Sequence, residues 1–579
     1  MDELKFQEEN IIYTLLHHAK YFPTKYAYIF LKDGKEETDK ITFDELNRKA
    51  NIVAKLLKNK DLSGKRVLLL YPTGIDFIIA FIGCLYSGVI AVPASYPDKI
   101  NWHRSLTYIQ VICEDAAIDT VLTTDELITL SSQPENNSEI IKKLHLINTD
   151  LAPSINSKDT SYIYNIKENS ITHLQYTSGS TSNPKGVITT HINLLHSLKY
   201  TAKLWHYTSN SITVTWAPHT HVYGLVCGLL LPLYMGSTAI IIPTTSVILK
   251  PIRWLRAIST YQATHSGCPN FGYEICNKYL KKDTLLGIDL SNWVVAVNGG
   301  EPVQAETLHK FYELTKAANF NFDSLCPAYG MSEVTGLIAS KVANKPPYLY
   351  NIDREALVKN KAISQNGNNS RTLISCGKLI DCLKVTIVDP KTLQSLREGE
   401  IGEVWLSGPS CSPGYWSPSF VTTPLNDTRG FYKQDLIKTG DLGFIKGDEL
   451  FLTGRLKEVI IINGKNYYPL DIEVTAIKAY PDLANYSNAA FSIEQGGEEK
   501  LVIIQGIRNY LPHGKYKDIL MAIKREVCNT HGIDVYNIVL INNDSIPKTA
   551  SGKIQRGAAK KCFLNNQFDI INQYSGNRL

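Results

Sequence analysis

The segment Tyr176-Thr-Ser-Gly-Ser-Thr-Ser-Asn-Pro-Lys-Gly186 gathers hydroxyls, glycines and one lysine into a single turn, a composition suited to wrapping a polyphosphate. Gly179 and Gly186 tolerate positive φ, so consecutive amides can point inward as an anion nest, while Thr177, Ser178, Ser180 and Thr181 supply further donors. Lys185 adds a mobile positive point charge. It is not a Walker loop, because the lysine precedes Gly186 and no Ser or Thr follows it as that motif requires. Taken alone, such a string is also an ordinary turn. Its meaning depends on partners elsewhere.

Those partners follow in order along the chain. Pro327-Ala-Tyr-Gly-Met-Ser-Glu333 sets an aromatic ring just ahead of a hydroxyl and a carboxylate, the latter a suitable ligand for a hard cation. Thr439-Gly-Asp441 offers an acidic acceptor in a tight turn, able to take both hydroxyls of a ribose. Gly454-Arg-Leu-Lys-Glu-Val459 comes next, and Ile546-Pro-Lys-Thr-Ala-Ser-Gly-Lys-Ile-Gln-Arg556 lies near the end. Each residue also has a plain structural reading. Lys553 alone is a solvated surface lysine, Asp441 a turn former, and Glu333 a carboxylate at a helix start. His221, within Trp216-Ala-Pro-His-Thr-His-Val-Tyr-Gly-Leu225, is equally readable as a satisfied core histidine.

Together these motifs resemble the adenylate-forming superfamily of acyl-CoA synthetases, luciferases and nonribosomal-peptide adenylation domains, over nearly the whole chain. The resemblance implies that Thr177, Ser178, Gly179, Ser180, Thr181 and Lys185 hold the β- and γ-phosphates of ATP, and that Glu333 binds Mg²⁺. It implies that Tyr329 stacks on adenine beside Gly300, Glu301 and Pro302, that Gly330, Met331 and Ser332 complete the nucleotide site, with Ser332 at the α-phosphate, and that Asp441 and Arg455 hold the ribose. Lys553 would bridge the substrate carboxylate and the α-phosphate, and His221 would border the acyl carboxylate. The chemistry is coherent: a carboxylate is a poor electrophile, and activating it requires in-line attack by one anion on another. The site must therefore neutralise charge more than move protons.

These groups need a scaffold. Thr42-Phe-Asp-Glu45 is a capping box, after which Phe43, Leu46, Ala50, Val53 and Leu57 repeat at helical spacing. Gly64 and the strand Arg66 to Tyr71 follow. Ile171 to Tyr176 reads as a strand, and Val187 to Leu198 as a helix. Further short apolar strands are expected at Thr213 to Trp216, Trp293 to Asn298, Lys384 to Asp389 and Glu403 to Gly408, with helical stretches between several of them. This alternation predicts an α/β fold, with a large N-terminal domain of layered sheets covered by helices. After Arg455 a compact series predicts a small α+β C-terminal lid domain: strand Glu458 to Ile462, helix Leu470 to Ala479, strand Leu501 to Ile507, helix Lys517 to Asn529 and strand Tyr536 to Ile541. The expected boundaries are 1–456 and 457–579, with Lys457 as the hinge implied by the resemblance. Two apolar stretches, Ile75 to Val92 and Gly224 to Ile242, break at Gly88 and Gly236 and read as buried helices feeding buried strands, not membrane spans.

With 579 residues, 44% apolar and 20% charged, the chain has ordinary globular composition and enough length for several subdomains. A net charge of +5 without any Lys- or Arg-rich run argues against nucleic-acid binding. Eleven cysteines without a C-x-x-C pair fit a reducing compartment, and the acidic, polar first residues are unlike a secretory signal. A cytoplasmic location is expected.

Several segments resemble fatty acyl-AMP ligases in particular, which hand the acyl group to the phosphopantetheine thiol of an acyl carrier protein. They are Leu85 to Pro93, Ala263 to Phe271, Ser375 to Lys378, Gly408 to Trp416 and Asn463 to Pro469. The 216–225 segment has no acid to meet an α-ammonium, which favours a fatty or other neutral acyl chain over an amino acid. That family commonly has an acid where this chain has Val222, which leaves acyl-pocket details open. Asp323-Ser-Leu325 resembles a phosphopantetheine attachment serine, but it abuts the Tyr329 motif and is rejected as one. Acyl-CoA synthetases make a shorter connection between Glu333 and Gly377. The resemblance implies that the insertion at about 342–372 packs on the C-terminal domain and hinders its rotation, while the plain reading is a tolerated surface loop. A small basic surplus after residue 455 suits an acidic carrier protein. The expected activity is therefore fatty-acid adenylation with ATP and Mg²⁺ and transfer to a carrier protein. The alternatives are a fatty acyl-CoA ligase and a silent nucleotide-binding scaffold.

Overall fold

The computed structural model describes residues 10–97, 102–136, 138–150, 167–177, 184–367, 369–417, 436–462, 465–484, 486–508, 513–548 and 553–576. The capping box forms as the sequence predicts: the Glu45 amide donates to Thr42 Oγ1 at 3.2 Å, and the Thr42 amide donates to the Glu45 carboxylate at 2.9 Å. It opens the helix Phe43–Asn59, whose apolar stripe is buried. The first apolar stretch divides at Gly88 into the helix Ile75–Ser87 and the buried strand Ile90–Ala94. The second stretch winds wider than an α-helix over Tyr223–Leu230, the Leu231 amide reaching back to the Val226 carbonyl, then continues as Leu231–Met235 and the strand Thr238–Ile241. Among the described residues, no helix is long and apolar enough to cross a membrane.

Two sheets build the body. A six-stranded sheet runs His145–Asn148, Thr120–Thr123, Arg66–Leu70, Ile90–Ala94, Ile171–Thr177, Lys185–Thr190; it is parallel except for the last, antiparallel pair. The larger sheet has a parallel centre that includes Val295–Gly299 and Leu325–Met331. Beyond Leu325–Met331 it becomes antiparallel, through Gly336–Ser340, Ser370–Leu379, Glu449–Arg455 and Ile437–Lys446. The expected layered α/β architecture is thus present. Near this parallel-to-antiparallel transition the strand ends carry Gly299, Tyr329 and Arg455, with Asp441 inside Ile437–Lys446, the kind of place where α/β sheets bind ligands.

The segment 187–198 corrects the helix expected there. Lys185–Thr190 is a strand paired with Ile171–Thr177, and the helix is His191–Leu204. The run Val187-Ile-Thr-Thr190 is β-branched and suits a pleated surface better than a helix. Thr190 then caps the helix, its Oγ1 accepting from the Asn193 amide at 3.3 Å. Lesser shifts occur elsewhere: Glu458 ends the 3₁₀ turn Leu456–Glu458 ahead of the strand Ile460–Ile462, and Asp323 lies in a 3₁₀ turn before Leu325–Met331 begins.

The C-terminal segment has a four-stranded sheet, Asn488–Gln495, Glu498–Ile507, Val535–Asn542 and Ile570–Ser575. The helices Pro469–Lys478 and His513–His531 pack on it through Ile472, Ala476, Ile519, Ile523 and Val527. The insertion contributes the strand Leu349–Asp353, added to Ser370–Leu379, and the short helix Arg354–Val358. Its Tyr350, Ile352 and Leu357 share a buried cluster with Phe444, Phe451 and Tyr468, while Val358 packs on the C-terminal core.

Candidate active site

The hairpin Ile171–Thr177 and Lys185–Thr190 sets Thr177 opposite Lys185 and Tyr176 opposite Gly186. A β-carbon on Gly186 would stand 2.9 Å from Tyr176 Cζ, so a side chain there would require the Tyr176 ring to shift. Ser178, Gly179, Ser180 and Thr181 lie outside the described residues. Lys185 Nζ sits 5.1 Å from the Tyr415 ring centroid, and Tyr415 Oη donates to Glu333 Oε1 at 2.8 Å. The backbone locks this junction: Trp416 N donates to Gly186 O at 2.6 Å, Ile188 N to Gly414 O at 3.0 Å, and Ser412 N to Glu333 O at 2.8 Å. Asn193 ties the same segment to the helix start, donating to the Pro409 and Cys411 carbonyls, each at 2.8 Å. Tyr415 is thus the ring that joins the lysine and the carboxylate, a partner that the sequence reading missed.

Tyr329, Gly330 and Met331 end the strand Leu325–Met331, and Ser332 and Glu333 form the turn after it. Tyr329 Oη donates to Asp441 Oδ2 at 2.6 Å. Asp441 also faces Arg455, its partner across the antiparallel pair, with Arg455 Nε 3.1 Å from Oδ1. Asp441 is buried, and desolvation pushes its carboxyl above the usual range against the opposing pull of Arg455 and the Tyr329 hydroxyl.

Gly299 pairs with Ala328, so the turn Gly300-Glu301-Pro302 emerges beside Tyr329. Gly300 has φ +83°, and Lys553 Nζ lies 3.9 Å from where its β-carbon would be. Glu301 Oε1 accepts the Phe271 amide at 2.5 Å, in the first turn of the helix Asn270–Tyr279, where the dipole favours an anion. Burial raises the Glu301 carboxyl, while the Phe271 amide and the Lys553 ammonium oppose the rise. Lys553 is pushed below the ordinary lysine value by burial, Glu301 pulling it up and Arg455 pushing it further down.

The two histidines of 216–225 differ. His219 is buried and stacks on Phe77, ring centroids 4.0 Å apart, the arrangement of a core histidine. His221 accepts the Tyr223 amide at Nδ1, 3.2 Å, and is held down to about 4 by burial and then by Lys553. It is therefore neutral near pH 7 and belongs to the same cleft as the lysine. Pro302 is exposed at the rim. Lys553, Glu301, His221, Arg455, Asp441, Tyr329 and Glu333 thus converge, whereas Lys457 lies in the turn Leu456–Glu458 behind Arg455.

The cleft sets the cations Lys553 and Arg455 beside Glu301 and Asp441, while Glu333 lies in the turn after Leu325–Met331 with the Tyr415 hydroxyl on its carboxylate. Among the described residues there is no group of three or more His, Cys, Asp or Glu able to cage a metal. A lone carboxylate with a hydroxyl neighbour suits Mg²⁺, which takes one or two carboxylates and fills its remaining positions with phosphate oxygens and water.

The AMP-binding enzyme family model matches residues 15–416, and the AMP domain of the Disco-interacting protein 2-like family matches 457–573. The medium-chain-fatty-acid–[acyl-carrier-protein] ligase JamA of Moorena producens is 39% identical over 96% of this chain and 96% of its own. TtuA of Teredinibacter turnerae, described in the same words, is 30% identical over 99% of this chain and 96% of its own. The crystal structure of fatty acyl-adenylate ligase from L. pneumophila in complex with acyl adenylate and pyrophosphate superposes with a TM-score of 0.72 at 32% identity, covering 100% of this chain and 99% of that one. Similarity of this extent, joined to a cleft that brings the motif residues together, leads to one assignment: the chain belongs to the AMP-binding enzyme family and, within it, to the fatty acyl-AMP ligases of the adenylate-forming superfamily.

Proposed function

We propose that this protein uses ATP to convert a fatty acid to its acyl-adenylate with release of pyrophosphate, and then transfers the acyl group to the phosphopantetheine thiol of an acyl carrier protein. A carboxylate oxygen attacks the α-phosphorus as the bond to the β-phosphate oxygen breaks. In the second step the thiol sulfur attacks the acyl carbon, its proton passes to solvent, and AMP leaves. The reading rests above all on Lys553, which the C-terminal segment delivers to Gly300 and Glu301 of the body. There its ammonium faces the meeting point of the two anions. Asp441 and Arg455 hold the ribose, Tyr329 lies against adenine with Gly330, Met331 and the Gly300–Pro302 turn, and Ser332 meets the α-phosphate. Thr177 to Thr181 and Lys185 take the outer phosphates. Glu333 would hold Mg²⁺, which supplies neutralisation of phosphate charge when bound, and neutral His221 borders the acyl carboxylate without adding a competing charge.

In domain terms, 1–456 is the adenylating body and 457–579 the lid, turning at Lys457. The names of JamA and TtuA support a medium-chain acid and a carrier-protein acceptor. The insertion supports the same acceptor, since it bridges body and lid: Asn466 Nδ2 donates to Asn360 Oδ1 at 2.9 Å, and Arg371 pairs with Asp471 at 2.9 Å. All eleven cysteines are free thiols, in keeping with a reducing cytoplasm, where we place the reaction. Incubation with ATP, Mg²⁺ and saturated acids from short to long is expected to accumulate acyl-adenylate without coenzyme A, read by mass spectrometry, and to discharge it onto a holo carrier protein. Rapid acyl-CoA formation in the presence of coenzyme A would replace the acceptor with CoA, and no adenylate with any acid would remove the function.

The cleft also dictates a pH dependence. Lys553 acts as an ammonium, so adenylation is present below its pKa and lost as pH rises through it. Glu301 raises that pKa, whereas burial and Arg455 lower it and neutral His221 contributes no charge. Glu301→Gln is expected to move the alkaline limb of the kcat profile to lower pH, measured by pyrophosphate exchange. An unmoved limb would separate Glu301 from the lysine.

A further inference from the structure

Arg556 closes the motif that carries Lys553, yet no step described so far uses it. It opens the helix Arg556–Leu564, and its guanidinium is engaged on both sides. Nε and Nη2 donate to the two oxygens of Glu473, each at 2.7 Å, and Nη1 donates to Glu458 Oε2 at 2.7 Å. The forked pair is the strong, orienting form of the Arg–carboxylate contact. Glu473 is itself immobilised: it is buried in the helix Pro469–Lys478, and its Oε1 also accepts the Ala490 amide at 2.9 Å. Glu458 is the residue after Lys457, at the end of the hinge turn. The segments flanking the lysine are tied together: Lys548 pairs with Ile554 and Gln555 N donates to Pro547 O at 2.9 Å, while Ile546 and Ile554 join the cluster that holds Ala489 and Val502.

We propose that Arg556 is the positioning residue for Lys553: by gripping Glu473 and Glu458 together, it fixes the lysine at a set offset from the hinge, so that lid rotation delivers the ammonium as part of a rigid body. This deepens the reading of Lys553 given above and rests on it. All three clamp residues lie on the lid side of Lys457, so the clamp travels with the lid and need not break when the lid turns. Its work is geometric. The lysine lies three residues from Arg556, and displacement by an ångström is costly at a site that must bring two anions together.

The test separates positioning from folding. Glu458→Gln keeps the forked Glu473 contact and so keeps the lid folded, and Arg556→Lys keeps the charge but loses the fork. Each is expected to lower kcat for pyrophosphate exchange by roughly tenfold or more, with KM for ATP and acid little changed. Transfer from presynthesised acyl-adenylate to a holo carrier protein does not need the ammonium and is expected to continue at the wild-type rate. On a Lys553→Ala background, either substitution should add no further loss, because both act through the missing ammonium. Wild-type exchange in both variants, an equal fall in the transfer step, or full additivity with Lys553→Ala would each overturn the assignment of Arg556. Lys553→Ala at the wild-type rate would instead remove Lys553 from the reaction, and the role of Arg556 with it.

Discussion

Lys553→Ala is expected to lower acyl-adenylate formation by about 10²–10³-fold, the usual cost of removing one preorganised group that meets developing charge, while ATP affinity changes little. The physical reason lies in what the cleft has left once the lysine is gone. Arg455 is engaged by Asp441 at 3.1 Å, and Lys185 stands over the Tyr415 ring. His221 is neutral at working pH because burial holds it down to about 4. Neither carboxylate nor α-phosphate then has a cation aimed between them, and their repulsion enters the barrier in full. The ribose, adenine and outer-phosphate contacts proposed above do not use Lys553, so ground-state ATP binding is expected to survive. Lys553→Arg should not restore the rate, since a planar fork cannot occupy the space of a point charge beside Gly300. Pyrophosphate exchange and calorimetric ATP binding on the same samples decide it; unchanged exchange would take the lysine out of the chemistry.

The candidate site is legible in the chain as ordered motif strings, and the structure brings Tyr329, Asp441, Arg455, Glu301 and Lys553 of those strings together. The capping box at Thr42 and the breaks at Gly88 and Gly236 are local, and local signals suffice for them. Where reading failed, the deciding interaction was long-range or the local evidence was outvoted. Val187 to Thr190 is β-branched but reads as the start of a helix; strand pairing with Ile171–Thr177 decides it. No periodicity links Tyr415 to Glu333, Arg556 to Glu473, or Phe271 to Glu301, because only the assembled sheets and lid bring these pairs together. His219 and His221 have the same local sequence context, and only packing sends one onto Phe77 and the other toward Lys553. In the insertion, Tyr350, Ile352 and Leu357 share a buried cluster with Tyr468. Leu349, at the next position, packs instead against the body core, since neighbours on a strand face opposite ways.

The junction between insertion and lid yields the second large effect. Asp471→Ala is expected to weaken the body–lid junction by about 3–5 kcal/mol, the range for removing one partner of a buried ion pair, and to raise acyl transfer to coenzyme A. Arg371 is 10% exposed and Asp471 17%, and the guanidinium also lies 5.3 Å from the Tyr468 ring centroid, so the loss leaves a charge with little access to water. Arg354 adds a second positive field at Asp471, whereas His531 is held down to about 4 by burial and by both arginines and cannot serve as a substitute charge at neutral pH. A second bridging pair among the described residues, Lys478 with Glu306 at 2.6 Å, is well exposed and contributes little on its own. Removing residues 346–370 outright is a poorer experiment. It would delete the strand Leu349–Asp353 and open the cluster around Tyr350 and Phe451, confusing loss of a barrier with loss of the fold. A point change at Asp471 keeps that strand. Limited proteolysis reports whether the junction has loosened, and acyl-CoA appearance reports whether the lid now reaches a second orientation. A loosened junction with no gain in acyl-CoA would make the insertion a bystander to acceptor choice, and the preference for a carrier protein would then have to lie in how the cleft admits the phosphopantetheine arm.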